Sequence, residues 1–256
     1  MNEQSDKLWQ GVAIITGASS GIGEAIARKL AKNAQGLVIG ARRFNQIKEL
    51  ASSLGDHVIP IECDVRKKED VAKLAQTAIH HFGRIDAIIN NAGILPVASM
   101  LRCHVDDWEN MIDTNLKGAL YGIAAALPQM LEQGTGRIIS ISSEAARKVF
   151  PGTGVYSATK HAIRVISEGL QNDLSARSKK DGNTIKVTTI APGVVMTNLT
   201  DSVTYPPAKE AMKQSMESTS NPLQSSDIAD CVEYVLSTPP HIEIGELTIR
   251  PVKQIM

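Results

Sequence analysis

Apolar residues in this chain gather into short runs separated by longer stretches where they recur every three or four positions, and this rhythm predicts its elements. Runs at 12–15, 36–40, 57–61, 86–90, 136–141, 184–190 and 245–249 read as strands. The first, Val12-Ala-Ile-Ile15, is apolar enough to be buried on both faces. Helical spacing appears in Ile22, Ala25, Ile26 and Leu30, around Ile47 and Leu50, and in Val71, Leu74, Ala75, Ala78 and Ile79. The stripe Trp108, Met111, Ile112, Leu116, Ala119, Leu120, Ile123 and Leu127 predicts one long helix from Asp106 to Gln133. Val155, Ala158, Ala162, Ile163, Ile166, Leu170 and Leu174 predict another from Gly154 to about Ala176. Ser225-Ser226-Asp227 is expected to cap a last helix carrying Ile228, Val232, Val235 and Leu236, which stops at Pro239-Pro240. Strands alternating with helices in this way imply right-handed βαβ units. The expected fold is α/β: a Rossmann-type, doubly wound parallel sheet of about seven strands in a single domain, 1–256. Residues 197–223 break the rhythm, being polar around Pro206-Pro207, and fit a lid (about 194–224) or a disordered loop.

The turn from the first strand into the first helix, Thr16-Gly17-Ala-Ser19-Ser20-Gly21-Ile22-Gly23, is built to hold phosphate. Glycines there permit positive φ and let a pyrophosphate approach the N–H groups and positive end of the new helix. Their spacing is G-x-x-x-G-x-G, not the usual dinucleotide G-x-G-x-x-G, and a turn that merely joins strand to helix is the alternative. The second strand ends in Ala41-Arg42-Arg43, where dinucleotide folds select their cofactor. An acid at this position binds the ribose 2′-OH of NAD, whereas arginine accommodates the 2′-phosphate of NADP, so NADP(H) is expected. Two solvated arginines opening the next helix are the alternative.

Composition narrows the partners. Among 256 residues, 27 Lys plus Arg balance 27 Asp plus Glu, so nothing favours nucleic acid or an anionic membrane, and a small molecule is the expected partner. The N-terminus lacks a basic segment leading into an apolar one, and no apolar run is long enough to span a bilayer; a cytoplasmic protein is expected. Cys63, Cys103 and Cys231 are isolated from one another and from histidines at ligand spacing, so neither disulfides nor a metal is expected, and they read as small core residues. His80 and His81 end a helix, where imidazolium suits the dipole.

Other polar residues sit where chemistry is done in such sheets. Asp64 and Val65 follow the third strand, Asn90-Asn91-Ala92-Gly93 end the fourth, Ser142-Ser143 the fifth, and Pro192-Gly193 the sixth. Asn115 interrupts an apolar stripe, as a functional amide or a satisfied core asparagine would. Tyr156 and Lys160 lie four apart, on one helix face.

Taken together, Thr16-Gly17-Ala-Ser-Ser-Gly21-Ile-Gly23, Asn90-Asn91-Ala92-Gly93, Asn115, Ser143, Tyr156-x-x-x-Lys160 and Pro192-Gly193 resemble, in order and spacing, the classical short-chain dehydrogenases/reductases over nearly the whole chain. The resemblance implies hydride transfer between a nicotinamide and a ketone, aldehyde or secondary alcohol. Tyr156 would be the general acid/base, Lys160 and the positive nicotinamide would lower its pKa, Ser143 would hold the carbonyl oxygen, and Asn115 would anchor a proton-relaying water. It also implies a cofactor site formed by the glycine loop, with Asp64 and Val65 at the adenine and Asn91, Ala92 and Gly93 at the ribose. Lys160 would reach the nicotinamide ribose beside Tyr156, and Pro192, Gly193, Val195 and Thr197 would lie along the carboxamide and pyrophosphate. A homotetramer is favoured over a dimer. The ending Glu246-Leu-Thr-Ile-Arg-Pro251 lacks the family's frequent V-D-G-G and resembles NADP-dependent enzymes acting on serine, 3-hydroxy acids or clavulanate-type aldehydes. Segments 144–154 and the lid should border the reacting carbonyl. Glu144, Arg147 and Lys148 give the first segment charge, which leans towards a carboxylate-bearing substrate such as a 3-hydroxy acid unless they are simply solvated, and Val149, Phe150 and, from the lid, Tyr205 add apolar bulk; a small or medium polar ketone or aldehyde, or the matching secondary alcohol, is expected. An NADP-binding redox sensor or scaffold without turnover is the alternative function.

Overall fold

The computed structural model describes residues 8–253, the side chains of Ser215 and Glu217 excepted; the N-terminal segment 1–7, expected to carry no leader, lies outside these residues. In chain order the elements are β1 (Val12–Thr16), α1 (Gly21–Leu30), β2 (Gly36–Ala41), α2 (Phe44–Leu54), β3 (Val58–Glu62), α3 (Lys68–Phe82), β4 (Ala87–Asn90), α4 (Val105–Met111), α5 (Gly118–Gln133), β5 (Thr135–Ile141), α6 (Gly154–Asp181), β6 (Thr184–Pro192), β7 (Val195–Met196), α7 (Pro206–Ser218), β8 (Leu223–Gln224), α8 (Ser225–Ser237) and β9 (Glu246–Ile249).

Seven strands pair in the order β3-β2-β1-β4-β5-β6-β9, every ladder parallel. Successive strand residues point to opposite faces, which sorts the apolar runs into two cores. Ala13, Ile15, Leu37, Ile39 and Ile89 pack with α1, α2 and α8, whereas Val12, Ile14, Val38, Ile88 and Ile138 pack with α3, α5 and Leu174 of α6. Ile14 and Ile15 are both fully buried, each contributing about 1.5–3 kcal/mol of apolar transfer. The chain reverses its winding between β1 and β4, leaving a crevice at the strands' carboxyl ends.

Several expectations are corrected. The stripe from Asp106 to Gln133 is not one α-helix: α4 and α5 are joined by a π-helical stretch, Ile112–Lys117, that contains Asn115. Apolar spacing does not register the extra residue per turn. Helix α6 runs on to Asp181, where Gly182 takes φ 70° and ends it. The last helix is capped by Gln224 with Asp227 in a reciprocal capping box, so Ser225 and Ser226 already lie inside it. Between β7 and β8, which pair with each other, residues 198–202 form a 3-10 turn and α7 follows, its two prolines in the first turn where no N–H is needed. Of the cysteines only Cys63 is core; Cys103 is exposed and Cys231 half-buried. His80 and His81 are exposed at the end of α3, as expected.

Candidate active site

The carboxyl ends of β1 to β6 open into a cleft of about 430 Å³. Its floor begins with the glycine loop. Gly17 (φ 68°) and Gly21 (φ 58°) adopt the left-handed region that side chains disfavour. A Cβ on Gly17 would strike the Ala92 backbone, and one on Gly21 would touch the Thr197 side chain, so the loop is pressed between two other walls of the cleft. Gly23 lies behind the surface, where any Cβ would strike the Gly17 carbonyl and the Asn91 amide. Ser20 occupies the N-cap of α1 in extended conformation without capping it by its side chain. Its hydroxyl instead accepts from Arg43 Nη2 at 2.6 Å, and Ser19 Oγ accepts from the same guanidinium at 2.8 Å and 3.1 Å. The N-terminal amides of α1 and two arginines thus face one space, a donor set suited to phosphate oxygens.

Thr16 joins this loop to the end of β4, a role the strand pattern did not single out. Its hydroxyl accepts from the Asn91 and Ala92 backbone N–H groups at 3.1 Å and 3.2 Å, and the Asn91 amide donates to the Thr16 and Gly17 carbonyls. Asn91, which lines the cleft, therefore also acts as a brace between β4 and the glycine loop. Asp64 lines the cleft, and its carboxylate accepts a forked pair from Arg66, which holds it below the usual carboxylate range.

At the other end, β5 delivers Ser142 and Ser143. Ser142 is buried and donates to the Lys160 carbonyl at 3.1 Å, which fixes α6 against the strand, while Ser143 lines the cleft with Tyr156 and accepts from the Ala145 N–H at 3.1 Å. Burial pushes Tyr156 up to about 12, with the Ser143 contact acting in the opposite direction, and burial pulls Lys160 down to about 8. Lys160 Nζ donates to the Ile141 carbonyl at 2.8 Å and stands 5.7 Å from the Tyr156 ring centroid. Desolvation is the dominant influence on both groups.

Asn115 sits one layer behind, 2 % exposed, and does not line the cleft. Its carbonyl accepts from Ile94 N–H at 2.8 Å, and its amide donates to the Ile94 carbonyl and to Thr159 Oγ1, at 2.9 Å and 3.2 Å. A side chain satisfied on three sides pins the 91–94 turn to α6 through the π-helical stretch, a device common at functional sites. Gly93, Pro192, Gly193, Val195 and Thr197 all border the cleft, as do Ile22 and Val65. Ile94, Leu199, Asp201 and Ser202 also border it; they lie in irregular segments where periodicity carries no signal. The charged loop expected at the reacting carbonyl turns elsewhere. Glu144 is buried against Arg250, Arg147 pairs with Glu246, Lys148 stands over Phe150, and none of these lines the cleft. Tyr205 is likewise outside it, stacked under Arg102.

A cleft at the switch point of a parallel sheet, with a glycine-lined phosphate cradle and a Ser/Tyr/Lys cluster, defines a nucleotide-dependent oxidoreductase. Residues 11–208 match the short chain dehydrogenase family model, and the chain belongs to that family. An uncharacterized oxidoreductase of Staphylococcus saprophyticus is 40 % identical over 256 residues, covering 99 % of each chain. Among solved structures, the closed form of serine dehydrogenase complexed with NADP+ is similar at TM-score 0.87 and 31 % identity, with 96 % of each chain covered. An alcohol dehydrogenase from Thermococcus sibiricus complexed with 5-hydroxy-NADP gives TM-score 0.80 and 28 % identity, over 96 % of this chain and 99 % of that one. The chain is therefore a nicotinamide-dependent oxidoreductase. Among the described residues no helix is long and apolar enough to cross a membrane.

Proposed function

We propose that this protein is an NADP(H)-dependent alcohol dehydrogenase/carbonyl reductase acting on a small-molecule ketone, aldehyde or secondary alcohol. The observation that carries the reading is that Ser143, Tyr156 and Lys160 all line one cleft, with Tyr156 one helical turn from Lys160. A nicotinamide held by these residues would supply the hydride chemistry, given to the carbonyl carbon in reduction and taken from the alcohol carbon in oxidation. Tyr156 Oη gives its proton to the carbonyl oxygen as the C–O double bond becomes single, and Ser143 Oγ donates to the same oxygen, stabilising the charge that develops there. Lys160, down to about 8, replenishes the tyrosine proton, and Asn115 acts as its support, holding the 91–94 turn.

The glycine loop, Ser19, Ser20 and Ile22 hold the pyrophosphate, with Arg42 and Arg43 on the 2′-phosphate. Asp64 and Val65 flank the adenine, and Asn91, Ala92 and Gly93 pass along the riboses. Pro192, Gly193, Val195 and Thr197 take the nicotinamide side. The NADP-bound serine dehydrogenase likeness supports this cofactor choice, as does the guanidinium of Arg43 poised at the loop. Residues 194–224 serve as a lid on one catalytic domain. Ile112 and Leu120 beside Asn115 and Val165 on α6 are exposed apolar residues that support a homo-oligomer, a tetramer before a dimer, which light scattering at assay concentration tests. Free thiols at all three cysteines suit a cytoplasmic setting.

NADPH oxidation followed with a panel of ketones and aldehydes is the test. Tyr156→Phe should lower kcat by roughly 100-fold or more; wild-type turnover in that variant would remove the assignment.

A further inference from the structure

The substrate end of the cleft has a chemical character that neither the sequence motifs nor the relatives' names disclose. Its charged lining, among the described residues, is confined to Arg42, Arg43, Asp64, Lys160 and Asp201. Arg42 and Arg43 follow β2, whereas Ser143 follows β5, and the order β2-β1-β4-β5 places three interstrand steps between them, roughly 14 Å at the usual spacing. Arg43 is also committed to Ser19 and Ser20. A carboxylate on the carbon next to a reacting carbonyl lies only a few ångströms from it, beyond the reach of either guanidinium. Lys160 is buried beneath Tyr156 and donates to the Ile141 carbonyl. Asp201 is acidic and pairs with Lys209 at 3.3 Å, so the lid brings no surplus positive charge to the mouth.

What remains around Ser143 and Tyr156 is apolar or neutral. Ile94 and Leu199 face the cleft, and behind them Leu95, Val97, Val203 and Phe150 pack with Tyr156 into one apolar cluster. Leu95 N–H donates to Ser202 Oγ at 2.8 Å, which holds the 3-10 turn of the lid against that cluster. A substrate anion placed here would lose water without gaining a cation, the costliest form of burial. An apolar flank of the substrate would meet matching walls.

We infer that the enzyme selects uncharged carbonyl substrates with an apolar flank and discriminates against carboxylates, including serine and 3-hydroxy acids. This rests on the carbonyl-reductase reading above. In the reduction a hydride and a proton add across the C=O bond to give the secondary alcohol, and the nicotinamide is oxidised in the same step. It also sets this chain apart from the serine dehydrogenase it resembles over 96 % of each chain.

The test uses ester and acid pairs that differ in charge and in the ester alkyl group, ethyl acetoacetate against acetoacetate and methyl pyruvate against pyruvate, with NADPH and the full-length protein. Each ester is expected to exceed its acid in kcat/KM by roughly 30-fold or more, a lower bound on the cost of burying an uncompensated carboxylate. A ratio below about ten in either pair, or oxidation of serine or 3-hydroxypropanoate with NADP+ at a rate comparable to ester reduction, overturns the inference and leaves the reductase reading standing. Failure to turn over any uncharged carbonyl overturns both. Leu199→Arg supplies the missing cation at the wall, and it should raise acid turnover relative to ester by about tenfold or more; an unchanged ratio in a variant that still reduces the ester would show that charge is not what decides.

Discussion

Lys160 is the place where function and stability should pull apart. The residue is 5 % exposed, and its ammonium donates to the Ile141 carbonyl and has its pKa pulled from 10.5 to about 8 by burial. Below pH 8 the lysine is charged in both folded and unfolded chains, and the folded state bears the full cost of desolvating it. Between pH 8 and 10.5 the unfolded chain keeps its proton while the folded one releases it. Stability from this group therefore rises with pH across that window, the reverse of a lysine held by a carboxylate. With these two pKa values the gain from pH 7 to pH 9.5 is about 2 kcal/mol. Lys160→Met removes the titration and also deprives the Ile141 carbonyl of a donor, a cost of about 1–3 kcal/mol that does not vary with pH. The absolute effect of the variant at pH 7 is thus a near balance, and the informative quantity is how the difference between wild type and variant changes with pH. Urea unfolding of the cofactor-free proteins at pH 7, 8, 9 and 9.5 should show wild type gaining about 2 kcal/mol on the variant. Other groups, such as Lys186, also down to about 8, titrate in both proteins and cancel. A flat difference across the series would mean that Lys160 keeps an ordinary pKa in the folded protein, and its role as the proton source for Tyr156 near neutrality would fall with it.

Arg42→Ala together with Arg43→Ala should cut kcat/KM for NADPH by about tenfold or more and spare NADH, since a guanidinium on phosphate contributes about 1.5–3 kcal/mol; equal loss with both cofactors would refute the 2′-phosphate assignment. Gly122→Ala should destabilise the fold by about 1–3 kcal/mol, because the added Cβ lands on Asn90 Oδ1, a buried amide with no hydrogen-bond partner among the described residues; thermal unfolding checks it, and an unchanged Tm would show that the β4–α5 contact yields. Tyr205→Ala should raise KM a fewfold and speed hydrogen exchange in 198–218, because it removes the stack under Arg102 at 4.1 Å and the edge contact with His104; exchange unaltered from wild type would show that Thr204, donating to Asp107 at 2.6 Å, holds the segment without it.

Sequence reading succeeded where geometry repeats. The buried strands of a parallel sheet are short and apolar, so the seven strands and the helices packed on them were legible from Val12, Ile14, Leu37, Ile88 or Ile138 and their spacing. Most of the candidate site was legible for a related reason. Ser143, Asn91 and Gly193 sit where strands end, and Tyr156 and Lys160 share one face of a helix. What escaped depends on contacts between distant segments. The π-helical turn at Asn115 follows from that amide bonding Ile94, twenty-one residues away, and α7 has too few buried apolar positions to reveal itself by periodicity. Charge misled in the same way: Glu144, Arg147 and Lys148 stand beside Ser143 in sequence, but Arg250, Glu246 and Phe150 claim them.

That last diversion bears on how the site works. A lysine kept near pH 8 and a tyrosine pushed to about 12 both depend on a dry floor beneath the cleft. Loop charges pointing inward from 144–148 would bring water and counter-charge to that floor and return both groups towards their ordinary values. Pairing Glu144 with Arg250 and Arg147 with Glu246 draws those charges across to the end of β9, leaving Ala145 to pack against Tyr156. The unusual ending of the chain, with Glu246 on β9 and Arg250 just beyond it, thereby acts on the reacting groups without touching them. It supplies the partners that let a charged loop lie next to Ser143 while its charges stay out of the cleft.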